Sequence, residues 1–125
     1  MEMKIVLATH NRDKCAEMIA ILRGIPIVLL TLNEFPEIGE IIEDGITLEE
    51  NAFIKAKTVH KLTGLPTIAD DTGLEVDALS GQPGIYSARY AGENCSYLDN
   101  VNKLLQEMTN IPPKKRTAIF RTAIV

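Results

Sequence analysis

The chain has 125 residues, 24% of them charged, and a formal net charge of -4. That length suits one domain with a core of its own, and the acidic balance argues against general affinity for a nucleic acid polymer. Cys15 and Cys95 stand in no metal-ligand spacing, and the apolar run after Met1-Glu2-Met3-Lys4 is too short for a signal peptide or a membrane span, so a cytoplasmic protein with reduced thiols is expected.

Strand-like and helix-like stretches alternate. Residues 4–8 (KIVLA) form a continuous apolar run, as a strand covered on both faces requires. Residues 11–23 place Cys15, Met18, Ile19 and Leu22 at helical spacing before Gly24, and residues 26–30 (PIVLL) read as a second strand. Residues 31–45, acid-rich and broken by Pro36 and Gly39, predict an irregular connection. Thr47-Leu48-Glu49-Glu50 matches a capping box, after which Ala52, Phe53, Ala56, Val59 and His60 make one helix face ending near Gly64. Residues 67–69 predict a third strand. Residues 74–94 are rich in glycine-bearing turns. Ser96-Tyr97-Leu98-Asp99 opens a helix closed by Pro112-Pro113, and residues 117–125 form a last strand. Such alternation predicts an α/β fold with a mixed, mostly central sheet flanked by helices.

The chemistry concentrates at Pro66-Thr67-Ile68-Ala69-Asp70-Asp71-Thr72-Gly73, where an apolar run ends in adjacent carboxylates before a glycine turn. Open α/β sheets bind ligands at such strand ends, and hard cations such as Mg²⁺ take carboxylate oxygens beside substrate phosphates. The plain alternative is a solvated acidic corner. Ala8-Thr9-His10-Asn11-Arg12-Asp13-Lys14 joins the first strand to the first helix, whose N-terminus suits phosphate; an ordinary Asn11 cap with a solvated Lys14 is the competing reading. Glu43-Asp44-Gly45 offers a further carboxylate or an acidic surface turn. In Gly84-Ile85-Tyr86-Ser87-Ala88-Arg89-Tyr90, Arg89 could meet phosphate or tie down its loop. His10 and His60 do not form a metal pair, and His60 is expected on the apolar face of its helix.

These blocks, with Glu50-Asn51-Ala52, Lys55-Ala56 and Pro83-Gly84, stand in the order seen in the inosine triphosphate pyrophosphatase family, which the chain resembles. The resemblance implies hydrolysis of ITP, dITP and XTP to the monophosphate and pyrophosphate, with Mg²⁺, by a homodimer. It implies that Thr9, His10, Asn11, Arg12, Asp13 and Lys14 hold the triphosphate with Thr72. Asp71 resembles the metal-binding general base, Glu43 an acidic metal-site residue, and Asp70 its less settled partner. Adjacent side chains diverge on a strand, so Asp70 and Asp71 share a metal only if the chain leaves strand geometry there. The family's base-holding Gly-Phe-Gly-Tyr-Asp-Pro and Ser-His-Arg blocks lie beyond Val125, so the chain is expected to be truncated at its C-terminus. Two other classes remain: a phosphatase releasing inorganic phosphate, and a non-catalytic fragment that binds metal and phosphate.

Overall fold

In the computed structural model, which describes residues 2–125, the predicted alternation of strands and helices is present. The chain divides into two compact units, one running to Asp70 and including Ala123–Val125, the other Asp71–Thr122.

The first unit is built on a parallel sheet in the order β2-β1-β3, from β1 (Met3–Leu7), β2 (Ile27–Thr31) and β3 (Thr67–Ile68). Leu7 lies opposite both Thr31 and Ile68. A central parallel strand leaves no face for polar residues, which is why the run is unbroken and Val6 and Leu7 are fully buried. Val6, Ala8, Leu32, Ala56, Val59 and Ala69 form the core. Helix α1 (Arg12–Ile21) starts where Asn11 Oδ1 accepts the N–H groups of Asp13 and Lys14, at 3.0 and 3.1 Å. The connection after β2 is irregular apart from one 3-10 turn, Leu32–Glu34.

Helix α2 (Leu48–Thr63) ends at Gly64, whose φ of 71° is the left-handed conformation that glycine adopts without strain. Its start differs from the predicted capping box in one respect. Thr47 Oγ1 accepts the Glu50 N–H, but Glu50 Oε2 reaches past Thr47 to the N–H of Ile46, at 2.7 Å. Its buried face also differs. Leu48, Asn51, Ala52, Lys55, Ala56 and Val59 are buried, whereas Phe53 and His60 are exposed. Two polar residues that find partners inside have taken the places predicted for the aromatic and the histidine. Phe53 lies under the Lys57 ammonium, 5.7 Å from ring to nitrogen, and His60 Nδ1 donates to the Leu65 carbonyl.

A second sheet, in the order β5-β4-β6, consists of β4 (Asp70–Val76), β5 (Pro83–Gly84) and β6 (Ala118–Ile124), of which residues 71–122 belong to the second unit. The sequence predicts a turn at Gly73; the chain instead continues as strand through Asp70, Asp71, Thr72 and Gly73 to Val76. The glycine is needed for close approach. A Cβ on Gly73 would stand 2.5 Å from the carbonyl oxygen of Gly84, whose strand pairs antiparallel with β4. Ser87 Oγ closes the same corner, donating to the Gly84 carbonyl and accepting the Leu74 N–H. Helix α3 (Tyr97–Glu107) opens with the predicted Ser96–Asp99 capping box. After it, Arg116 donates to the carbonyls of Met108 and Ile111, tying down the turn that follows the helix.

Candidate active site

The loop from β1 into α1 is a chain of short-range hydrogen bonds. Thr9, buried, accepts the Asn11 N–H on Oγ1, and Asn11 in turn caps the helix. The amides of Asn11, Asp13 and Lys14, three of those expected to face a phosphate, are therefore already engaged. His10 is exposed and donates from Nε2 to the Gly39 carbonyl at 2.8 Å; a carbonyl only accepts, which fixes that tautomer. Arg12 and Asp13 face solvent, while Lys14 is half-buried.

Lys14 Nζ meets Asp70 Oδ2 at 3.0 Å. Asp70 is 4% exposed, and its other oxygen, Oδ1, is buried with no hydrogen-bond partner. A buried carboxylate oxygen left without a donor is costly, and it is the type of hard ligand that Mg²⁺ takes. Among the described residues no three His, Cys, Asp or Glu side chains gather into one group. Mg²⁺ usually takes only one or two carboxylates beside waters and phosphates, so Asp70 fits such a site. Cys15 Sγ lies 3.7 Å from the Thr9 carbonyl. Burial, and then the negative charge of Asp70, push its thiol above the usual range, so it stays protonated and weakly reactive at neutral pH. An open pocket of about 420 Å³ lies here, with Thr9, Arg12 and Asn33 on its polar side and Ala16, Ile19 and Leu32 on its apolar side.

Glu43 sits elsewhere in the first unit, held by Lys55 Nζ at 3.4 Å. Asn51, buried, accepts the Gly45 N–H at 2.8 Å, so the first turns of α2 clamp residues 43–46 in place. In the second unit Asp71 is half-buried, and its Oδ1 accepts the N–H of Thr72 at 3.1 Å. Thr72 Oγ1 pairs with Thr122 Oγ1 at 2.9 Å. Asp70 and Asp71 are thus consecutive residues of one strand, where successive side chains take opposite faces. Arg89 lies over the Tyr86 ring, 5.1 Å from its centre, which favours the reading in which it ties down its own loop.

The Ham1 family matches residues 5–125. The chain belongs to that family. The dITP/XTP pyrophosphatase of Geobacter sulfurreducens is 53% identical over 97% of this chain and 61% of its own length. That of Vibrio cholerae is 52% identical over 98% of this chain and 60% of its own length. A solved HAM1 protein from Coxiella burnetii superposes with a TM-score of 0.86 at 41% identity, covering 98% of this chain and 61% of that one. This Ham1 chain therefore spans about three fifths of the length of the relatives it matches.

Two residues of this Ham1 chain gain importance only from the structure. Asn51 and Lys55 belong to the quoted motif blocks, yet neither has a role there; their burial on α2 and their grip on residues 43–46 single them out. The available signal was a polar pair spaced four apart on the face of Ala52, Ala56 and Val59.

Proposed function

We propose that this chain carries the phosphate- and cation-handling part of an enzyme that hydrolyses dITP, XTP and ITP to the monophosphate and pyrophosphate. The observation that carries the reading is the Lys14–Asp70 pair with its orphaned carboxylate oxygen, at the first turn of the helix that follows β1. The names of the relatives support the substrate class. Thr9, His10, Asn11, Arg12, Asp13 and Lys14 are the triphosphate segment, with Lys14 supplying a point charge that neutralises phosphate without sensing the base. Thr72 contacts substrate beside Asp71.

Asp70, through its unpartnered Oδ1, is the residue that would hold Mg²⁺; Glu43, paired with Lys55, and Asp71, on the opposite face of its strand, are the further carboxylates that the resemblance implies. When bound, Mg²⁺ lowers the pKa of water and neutralises charge on the leaving pyrophosphate. Asp71 takes the proton of the attacking water as its oxygen bonds to the α-phosphorus. The bond from that phosphorus to the bridging oxygen breaks, and pyrophosphate leaves with the electron pair. Lys14 offsets the charge that develops on the phosphates. The free thiols of Cys15 and Cys95 suit a reducing, cytoplasmic setting. A homodimer is the proposed assembly, supported by exposed Phe120 and Ile124 on the edge strand β6.

The test is product analysis with dITP, XTP and ITP in the presence of Mg²⁺. Pyrophosphate in equal amount to monophosphate is the expected result. Release of inorganic phosphate would assign a phosphatase instead, and triphosphate binding by calorimetry without turnover would assign a binding module.

A further inference from the structure

Asp70 is a buried carboxylate with its two oxygens in different circumstances: Oδ2 holds the Lys14 ammonium and Oδ1 holds nothing. We infer that Lys14 is a built-in competitor for the cation at Asp70, leaving it only when a polyphosphate draws the ammonium away, so that cation and triphosphate bind together. This deepens the reading above and rests on it.

Three observations carry the inference. The Asp70 side chain is 5% exposed, so an uncompensated charge there would be strongly disfavoured and Lys14 cannot simply depart. The Lys14 side chain is 24% exposed, on a flexible stem that can swing its head group outward. Its backbone N–H is pinned by Asn11 Oδ1, so the movement belongs to the side chain while α1 stays in place. An exchange in which phosphate takes Lys14 and a divalent cation takes Asp70 keeps every charge paired throughout. Neither half is favourable alone. A cation arriving first meets an ammonium already on the carboxylate, and a phosphate arriving first strips Asp70 of its counter-charge. Because linkage is reciprocal, the cation must tighten triphosphate binding by the factor by which triphosphate tightens cation binding.

The test uses the 125-residue chain without nucleotide and Mn²⁺ as the probe, following free Mn²⁺ by electron paramagnetic resonance and the thermal midpoint in parallel. Lys14→Met is expected to bind Mn²⁺ roughly tenfold more tightly than the parent chain, within the ordinary range of coupling between two sites. Its midpoint should be lower without Mn²⁺ and should rise further when Mn²⁺ is added. The double variant Lys14→Met with Asp70→Asn should lose both the tighter binding and the rise. Where Lys14→Met does not fold, Lys14→Gln, which can still hydrogen-bond Asp70, should show the same direction of change. Equal Mn²⁺ affinity in the parent and the lysine variants would overturn the competitor role and leave Asp70 as a cation ligand. Mn²⁺ binding unaffected by Asp70→Asn would remove Asp70 from the cation site, and with it both the inference and that part of the proposed function.

Discussion

Helices α2 and α3 place polar and apolar groups in opposite ways. On α2 the buried face includes Asn51 and Lys55, and an aromatic, Phe53, is left to solvent. On α3 the apolar positions Tyr97, Leu98, Val101 and Leu105 are all exposed, and none of the helix is fully buried. Tyr97, Val101 and Leu104 instead border an open apolar pocket of about 240 Å³ with Leu74, Tyr90 and Phe120. An amphipathic stripe states which side of a helix can be buried; only the neighbouring elements decide whether it is. In the first unit the sheet supplies that cover, and the helix can then afford polar side chains that hold the 43–46 loop.

The difference between the units can be tested most severely through the neighbouring aspartates. Asp71→Asn is expected to lower turnover by about 10²–10⁴-fold, the usual size of a general-base contribution, with the unfolding midpoint little changed because the residue is half-buried. Asp70→Asn should also lower turnover, but through cation affinity, so its deficit should shrink as Mg²⁺ is raised while that of Asp71→Asn should not. Steady-state rates over a Mg²⁺ series separate the two. Matching Mg²⁺ dependence in both variants would mean that the aspartates act as one unit. A matched pair of truncations addresses the helices directly. Val59, on α2, is fully buried and Val101, on α3, is 49% exposed. Val59→Ala is expected to cost roughly 2–3 kcal/mol from lost burial and the cavity left behind. Val101→Ala should stay within about 0.5 kcal/mol, since alanine's higher helix propensity offsets the lost contact. Urea unfolding of both variants gives the comparison, and equal costs would show that α3 is covered in solution.

What could be read from the sequence follows the same division. Local signals were legible: the Asn11 cap, Gly64, the Ser96–Asp99 box and the unbroken apolar strand β1 are set by groups within a few residues of each other. The α/β class and the family resemblance followed from the order of such blocks, and the match over residues 5–125 agrees with them. Long-range choices were not legible. Nothing in the helical period of α2 reveals that Lys55 will find Glu43 or that Asn51 will find Gly45; the period rightly places Ala52, Ala56 and Val59 on the buried face but sets Phe53 and His60 beside them. The turn expected at Gly73 fails for a similar reason. Its glycine answers to the backbone of Gly84, which approaches from another strand.

The clamp on residues 43–46 offers a smaller effect. Asn51→Leu keeps the volume but removes the acceptor of the Gly45 N–H, and should cost roughly 1–3 kcal/mol. Asn51→Asp keeps an acceptor but buries a carboxylate, so it should recover only part of that loss. Denaturant midpoints of the two variants decide it, and an equal loss in both would mean that packing, rather than the hydrogen bond, gives Asn51 its importance.

The smallest effect belongs to an exposed pair of the same first unit. Glu34 Oε2 accepts the Thr31 N–H at 2.6 Å and the Thr31 hydroxyl at 2.9 Å. The backbone bond first, and then the hydroxyl, hold the Glu34 carboxyl below its ordinary value. A carboxyl with a lowered folded-state pKa binds fewer protons folded than unfolded, so its stabilisation is complete above the unfolded value and disappears as pH falls through the folded one. The stability difference between the parent chain and Glu34→Gln should therefore be level from neutral pH down to about 5 and should fade below about 4. It should also be much smaller than the Asn51 effect, because water competes for an exposed carboxylate and can replace either hydrogen bond. Urea unfolding at a series of pH values measures it. A difference that grows on acidification would contradict the direction of the shift and the role of Thr31 in producing it.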